Sequence, residues 1–330
     1  MSTTRLESVA TVDEAAGDQA MPPVEEARSA KEFLPEISAL AVIVVWGSTF
    51  PLTKSLYADM SPLAFGFVRF VLITMIAFAV LAVHARRNQQ GNWWRIKRQD
   101  LPLFVITGLC GYTFYQLGFL LGLEHTSSFS GSLMISLQPI VTLGIVRFLG
   151  ERQPAQVWAG VLVSLAGVAL FLANGEGGSQ LLGNLISFAG GASFALYQVF
   201  NRRLIREYPP ATYSAYSTLF GAIPLLIIAA PEAIRQDWSA VGGQSWLIVV
   251  YMCIFPVYLA YLIWGWAISQ RGVAISGLTL LVPVVAGVMA VLFFGETLGW
   301  QKLVGGALAL AGMLVMQQAN RRARTRRVAG

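Results

Sequence analysis

Two stripes of side chains carry most of the groups in this chain that are able to hold a small molecule. Tyr112, Tyr115, Gln116 and Phe119 fall at i, i+3, i+4 and i+7, the spacing that places them on one side of a helix. Tyr251, Phe255, Tyr258 and Leu262 form a second stripe, with Tyr261 and Trp264 beside it. Rings with hydrogen-bonding tips grip a flat, apolar body by its faces and satisfy a few polar groups at its edge. They suit phosphorylated or strongly ionic ligands poorly, because those call for Arg or Lys pairs. An aromatic stripe in an apolar segment also serves as packing or as an interfacial belt. The Tyr hydroxyls and Gln116 weigh against that use, since each needs a partner away from lipid.

Reactive chemistry is absent from the pattern. Cys110 and Cys253 lie in separate apolar segments without metal-ligand spacing, and His84 and His125 are far apart. Gly190-Gly191 and Gly305-Gly306 sit within apolar stretches, so they are close-packing sites rather than phosphate loops. Glu36, Asp59, Glu124, Glu151 and Glu296 all fall near segment ends, and none lies at mid-depth where a proton relay or sodium site would need it. No nucleophile, paired carboxylate, metal or cofactor site follows, and the expectation is a protein that is not an enzyme.

The elements that position these groups are membrane spans. Hydrophobic residues make up 55% of the chain and charged residues 12%, with a mean hydropathy of +0.61. Soluble domains carry about 25% charged residues. Ten apolar stretches are long enough to cross a bilayer: 37–57, 62–84, 101–123, 128–149, 155–173, 181–201, 211–230, 245–268, 273–294 and 300–318. Residues 1–35 are polar and lack an apolar signal core, which predicts a disordered tail. Residues 319–330 form a short basic tail. Placing the N-terminus inside puts nineteen Lys and Arg residues on the inner side and three, Lys54, Arg235 and Lys302, on the outer. That bias sets both termini in the cytoplasm. The net charge of +6 then reports topology and contact with lipid heads, not nucleic-acid binding.

The chain also repeats itself. Pro139 answers to Pro283, Gly150-Glu151 to Gly295-Glu296, Gly160 to Gly305 and Gly167 to Gly312, at an offset of 144 rising to 145. The same offset pairs Gln116 with Tyr261 and Phe119 with Trp264. Five spans per half, 36–174 and 181–318, is an odd number, so the second half enters the membrane the opposite way round. Inverted repeats place a substrate site where they meet. Small residues at Gly160, Ser164 and Gly167 and at Gly305, Ala309 and Gly312 allow close helix contact, within the monomer or in a homodimer. Pro51, Pro139 and Pro283 remove backbone donors within spans and permit hinges. Arg69 lies about 10 Å along its span from Pro62, at 1.5 Å per residue. Facing lipid it would cost a few kcal/mol, so it faces protein or a wet cavity, either bonding carbonyls or touching substrate or a gate.

The Trp46-Gly47-Ser48 start, Arg69, and the twice-repeated proline, Gly-Glu and Gly-rich span resemble the EamA family of the drug/metabolite transporter superfamily over about residues 36–318. The resemblance implies an all-α basket of ten transmembrane helices in two inverted five-helix repeats around a central cavity. Spans one, three, four, six, eight and nine would line it, with five and ten peripheral. Within that family the aromatic content is most similar to YddG-type exporters of aromatic amino acids. Carried onto this chain, the lining is Trp46, Ser48, Tyr112, Gln116, Ser132, Ser136, Tyr197, Tyr258, Tyr261, Ser276 and Leu280. Glu151 and Glu296 would mark turns and cap or order the helices that follow them. The implied activity is export of small amphipathic metabolites, aromatic and other hydrophobic amino acids foremost, by alternating access across a bacterial inner membrane. The alternatives are an exporter of drugs or other metabolites, or a membrane-embedded lipid-handling protein.

Overall fold

The computed structural model describes residues 33–87, 95–151, 153–173 and 178–329 (side chains of 272–274 and 324–329 excepted). Their regular structure is helical throughout. Ten helices follow one another: α1 (Leu34–Leu56), α2 (Pro62–Arg87), α3 (Arg98–His125), α4 (Ser128–Phe148), α5 (Ala155–Leu172), α6 (Gly178–Glu207), α7 (Pro210–Arg235), α8 (Gly243–Arg271), α9 (Ile275–Phe294) and α10 (Trp300–Ala329). The polar tail expected before the first span lies outside the described residues. The basic segment 319–329 is helical, a continuation of α10.

Among the described residues, nine of these helices are apolar and long enough to cross a bilayer, and α6 is the one that falls short. Its 30 residues would reach about 45 Å, so length is not the reason. Gln180, Asn184, Gln198, Asn201, Arg202 and Arg203 lower its hydropathy, and Asn184, Ser187 and Asn201 are buried against other helices. Its other face leaves Leu181, Leu182, Leu185 and Phe188 exposed, so the helix is polar toward its neighbours and apolar outward.

Equivalent helices of the two halves pack antiparallel. Along α2 and α7, Phe70 meets Ala222 and Leu225, while Ala77 and Leu81 meet Ala215. Along α5 and α10, Gly160 lies on Gly312 and Met316, and Gly167 on Gly305 and Ala309. A Cβ on Gly167 would stand 2.3 Å from the Ala309 backbone nitrogen, so only glycine permits this approach. Antiparallel contact between repeat partners is the geometry of an inverted duplication. Both Gly-Glu turns close a helix through a left-handed glycine, Gly150 at φ 93° and Gly295 at φ 65°. The next N–H returns to the helix, Glu151 to Val146 and Glu296 to Ala290, each at 3.0 Å.

The irregularities are duplicated as well. A π turn spans Leu109–Phe114 in α3 and another spans Phe255–Leu259 in α8, at the repeat offset. Helix α4 breaks at Leu137 and restarts at Gln138 with Pro139 in its new first turn. Helix α9 is entered through a 3-10 run, Gly272–Leu281, and becomes regular at Val282 with Pro283 likewise placed. A proline in a first turn costs nothing, because that N–H has no intrahelical acceptor. Pro51 is different: it sits inside an uninterrupted α1. Hydroxyls of Ser48, Thr49 and Ser55 donate to carbonyls of the flanking turns at 2.6–2.8 Å.

Candidate functional site: a central cavity

Cross-links at the face opposite the chain ends close one side of the bundle. Glu296 accepts from the Ser128 N–H at 3.0 and 3.1 Å and from its hydroxyl at 2.6 Å, capping α4 across the halves. Lys54 donates to the Thr126 carbonyl, and Tyr57 to the Leu120 carbonyl at 2.8 Å. Asp59 accepts from the Ser245 hydroxyl at 2.6 Å, and Gln236 clasps the start of α2 through Ser61 and Asp59. Beneath them Leu56, Met60, Phe65, Leu120, Leu123 and Met252 are buried together. The pair Phe50 and Phe119, ring centroids 5.2 Å apart, forms the floor of what lies below.

From that floor a cavity of about 1680 Å³ runs to the face bearing the chain ends, where His84, Gln153, Arg202, Asn320 and Arg321 surround its mouth. It is larger than a pocket for one drug-sized ligand, about 300–1,000 Å³. Two aromatic walls face each other across it. One comes from α3 and α6: Tyr112 meets Tyr197 edge-on at 5.9 Å, Tyr115 meets Phe194 at 4.8 Å, and Tyr213 donates to the Tyr197 hydroxyl at 2.7 Å. The other comes from α1 and α8, where Trp46 packs on Tyr261 at 5.5 Å and on Trp264 at 5.2 Å. The Trp46 indole donates to the Pro256 carbonyl at 3.0 Å, in the π turn of α8. The walls are repeat-related, yet they are built differently. Gly118 lies against the backbone of Gly190, and Gly122 against Gly183 and Ser187, so α3 and α6 meet backbone to backbone. The positions that answer to Gly118 and Gly190 near α8 and α1 hold Ile263 and Val45, and those helices meet through side chains.

Of the residues expected to line the site, Trp46, Tyr112, Gln116, Ser136, Tyr197, Tyr258, Tyr261, Ser276 and Leu280 do so, together with Arg69 and Pro139. Ser48 and Ser132 lie elsewhere. Ser48 is buried between the Val45 carbonyl and the Tyr251 hydroxyl, 2.8 Å from each, and Ser132 donates to the Phe129 carbonyl inside α4. Pro51 and Pro283 are buried off the wall. Tyr258 has a structural tie as well, donating to the Ile73 carbonyl of α2 at 2.8 Å. Phe255 leaves the wall because the π turn rotates it out to stack on Tyr251.

Sequence reasoning passed over Gln138 and Gln198, whose amides bond at 2.9 Å on the wall, although an amide in an apolar span is itself a signal. It also passed over Asp100. That carboxylate is 1% exposed and holds Arg203 at 2.9 Å and Tyr208 at 2.6 Å, tying α3 to the end of α6. Glu151 and Glu296 do not cap the helices that follow them: Glu151 stands 4.0 Å from Arg202, and Glu296 reaches back to α4.

Antiparallel membrane-length helices around a deep, one-sided cavity define a multi-pass transporter rather than an enzyme. The chain belongs to the EamA-like transporter family, whose profile matches residues 34–173 and again 181–317. A probable amino-acid metabolite efflux pump of Salmonella typhimurium is 28% identical over 88% of this chain and 97% of its own. A probable terminal-alkyne amino-acid exporter of Streptantibioticus cattleyicolor is 26% identical, over 86% and 93%. A solved crystal structure, 22% identical, shares the fold with a TM-score of 0.60, over 87% of this chain and 98% of its own.

Proposed function

We propose that this transporter exports small amphipathic metabolites, chiefly aromatic and other hydrophobic amino acids, across a bacterial inner membrane. The observation that carries the reading is the wall itself: facing aromatic surfaces with hydrogen-bonding tips, and no carboxylate among the lining residues. Rings of the substrate slide between rings of the walls, and its polar groups meet amides and hydroxyls. The charge of the lining separates this reading from export of cationic drugs. Arg69, Arg202 and Arg321 line the cavity and no carboxylate does, so a cationic dye meets like charge. Names of the two bacterial relatives point the same way.

The basic bias puts both termini in the cytoplasm. In that orientation the cavity is open to the cytoplasm and shut toward the outside, the state that loads an exported substrate. Alternating access then consists of exchanging the two repeat-related packings, opening the far face as the near one closes. The test is counterflow in liposomes with labelled tryptophan, phenylalanine and threonine beside a cationic dye. Exchange of tryptophan and phenylalanine above threonine, with the dye excluded, is expected. Dye movement without amino-acid exchange would transfer the protein to the drug class. A cysteine at Ser179 should react with an impermeant reagent in intact cells while one at Gln89 does not, and the reverse pattern would invert the orientation.

A further inference from the structure

Two buried side chains on the cavity wall each carry a donor atom with nothing to donate to. Arg69 on α2 is 8% exposed and Gln116 on α3 is 3% exposed, and both lie on the cavity wall. The Arg69 Nε and the Gln116 Nε2 have no hydrogen-bond partner among the described residues. No carboxylate pairs with Arg69 among the described residues either, where the ion pairs all involve other bases. Its guanidinium stands 5.8 Å from the Phe65 ring centroid, a weak compensation for a charge removed from water.

Helix packing puts the two donors at one level. Gly66 of α2 lies against Leu120 of α3, where a Cβ would come 2.6 Å from the Leu120 side chain. One turn from there along each helix, toward the mouth, come Arg69 and Gln116. A guanidinium fork beside an amide N–H is a donor set that fits the two oxygens of a carboxylate. One fixed cation at this depth matches one negative charge. Arg202 is 4.0 Å from Glu151 near the mouth, and does not add to the site.

We infer that Arg69 and Gln116 form a carboxylate-binding subsite at the blind end of the cavity, so that an organic monoanion is held head-down with its apolar body between the aromatic walls. The inference rests on the export reading for the identity of the cargo, but not for the presence of an anion site. An unpaired guanidinium buried at that depth is costly to fold around, and the anion that completes it is the cargo. Neutral amides and simple amines of the same shape leave both donors unmet, which makes the subsite a determinant of specificity.

Full-length protein in nanodiscs tests this with matched pairs: benzoate and benzamide, 3-phenylpropionate and its amide, L-phenylalanine and L-phenylalaninamide. Apparent affinities come from the ligand-dependent thermal midpoint. Acids should bind about tenfold or more tightly than their amides, the loss expected when charge-assisted hydrogen bonds go unmade. Arg69→Gln should bring each ratio within about twofold, and Arg69→Lys should retain part of it. Gln116→Glu places a fixed carboxylate beside the guanidinium and should abolish the preference even if Arg69→Gln fails to accumulate. Equal behaviour of acids and amides in the wild type overturns the subsite, whatever phenylalanine does. A preference that survives in both Arg69→Gln and Gln116→Glu also overturns it, by assigning the anion to the arginines of the mouth. Should benzoate and 3-phenylpropionate show the preference while phenylalanine neither binds nor exchanges, the subsite stands and the amino-acid reading falls.

Discussion

Glu296→Ala removes the carboxylate that caps α4 from the opposite half and should unlatch the far face. Its three contacts to Ser128, at 2.6, 3.0 and 3.1 Å, all cross between halves. Hydrogen bonds to a charged acceptor contribute about 1.5–3 kcal/mol each when buried. Glu296 is only half-buried, whereas Ser128 is fully buried, so water replaces much of what is lost. A net cost of about 2 kcal/mol to the shut state is reasonable, and it raises the population of molecules with that face open by about 30-fold. The assay is reaction of an impermeant maleimide with a cysteine in place of Leu123, which is fully buried under the latch, in a background carrying Cys110→Ala and Cys253→Ala. When opening and closing are fast relative to alkylation, the labelling rate follows the open population. Glu296→Gln should fall between the two, since it keeps an acceptor and loses the charge. An unchanged labelling rate in a protein that still accumulates would refute the reasoning: the cap would then persist in every state and could not be a latch.

The α3–α6 seam should tolerate nothing larger than glycine, since a Cβ on Gly118 would sit 2.4 Å from the Gly190 Cα. Gly118→Val should cost about 3 kcal/mol or more and collapse membrane abundance, while Gly144→Ala, with nothing within 4 Å, should leave the melting midpoint unchanged or slightly raised. Asp100→Asn leaves Arg203 and Tyr208 with a neutral acceptor and should lower stability by about 2 kcal/mol, read as a fall in the melting midpoint. Gln116→Ala should weaken transport by an amount worth about 1 kcal/mol or more at near-normal abundance, while Tyr258→Phe should chiefly destabilise, because its hydroxyl is committed to Ile73. Equal transport losses in the two, with equal stability, would dissolve that distinction.

Spans were legible because hydropathy is summed over twenty residues and survives local error, and the repeat was legible because glycines and prolines mark fixed places in it. Side-chain direction was not. The stripe at 251–262 assumes 3.6 residues per turn, and a π turn at Phe255–Leu259 changes the phase within it, so Tyr258 and Tyr261 face the cavity and Phe255 does not. Ser48 and Ser132 look available in sequence, yet a hydroxyl in a helix finds its own backbone carbonyl three residues back. Asp100 stands at the start of an apolar stretch, where it reads as a loop charge. Its burial depends on Arg203 and Tyr208, more than a hundred positions away in sequence.

The seam between α5 and α10 says something about how such a chain comes to exist. Gly160 touches Gly312, and Gly305 touches Gly167, while Gly160 answers to Gly305 and Gly167 to Gly312. Each surface is therefore complementary to its own copy, which is the definition of an isologous contact. A protein half this length, inserted in both directions, could have assembled into the same object from two identical chains before any linker joined them. In one fused chain the two copies are under no obligation to remain alike. The glycine seam on one side of the cavity, against Val45 and Ile263 on the other, is a difference that two identical chains could not carry.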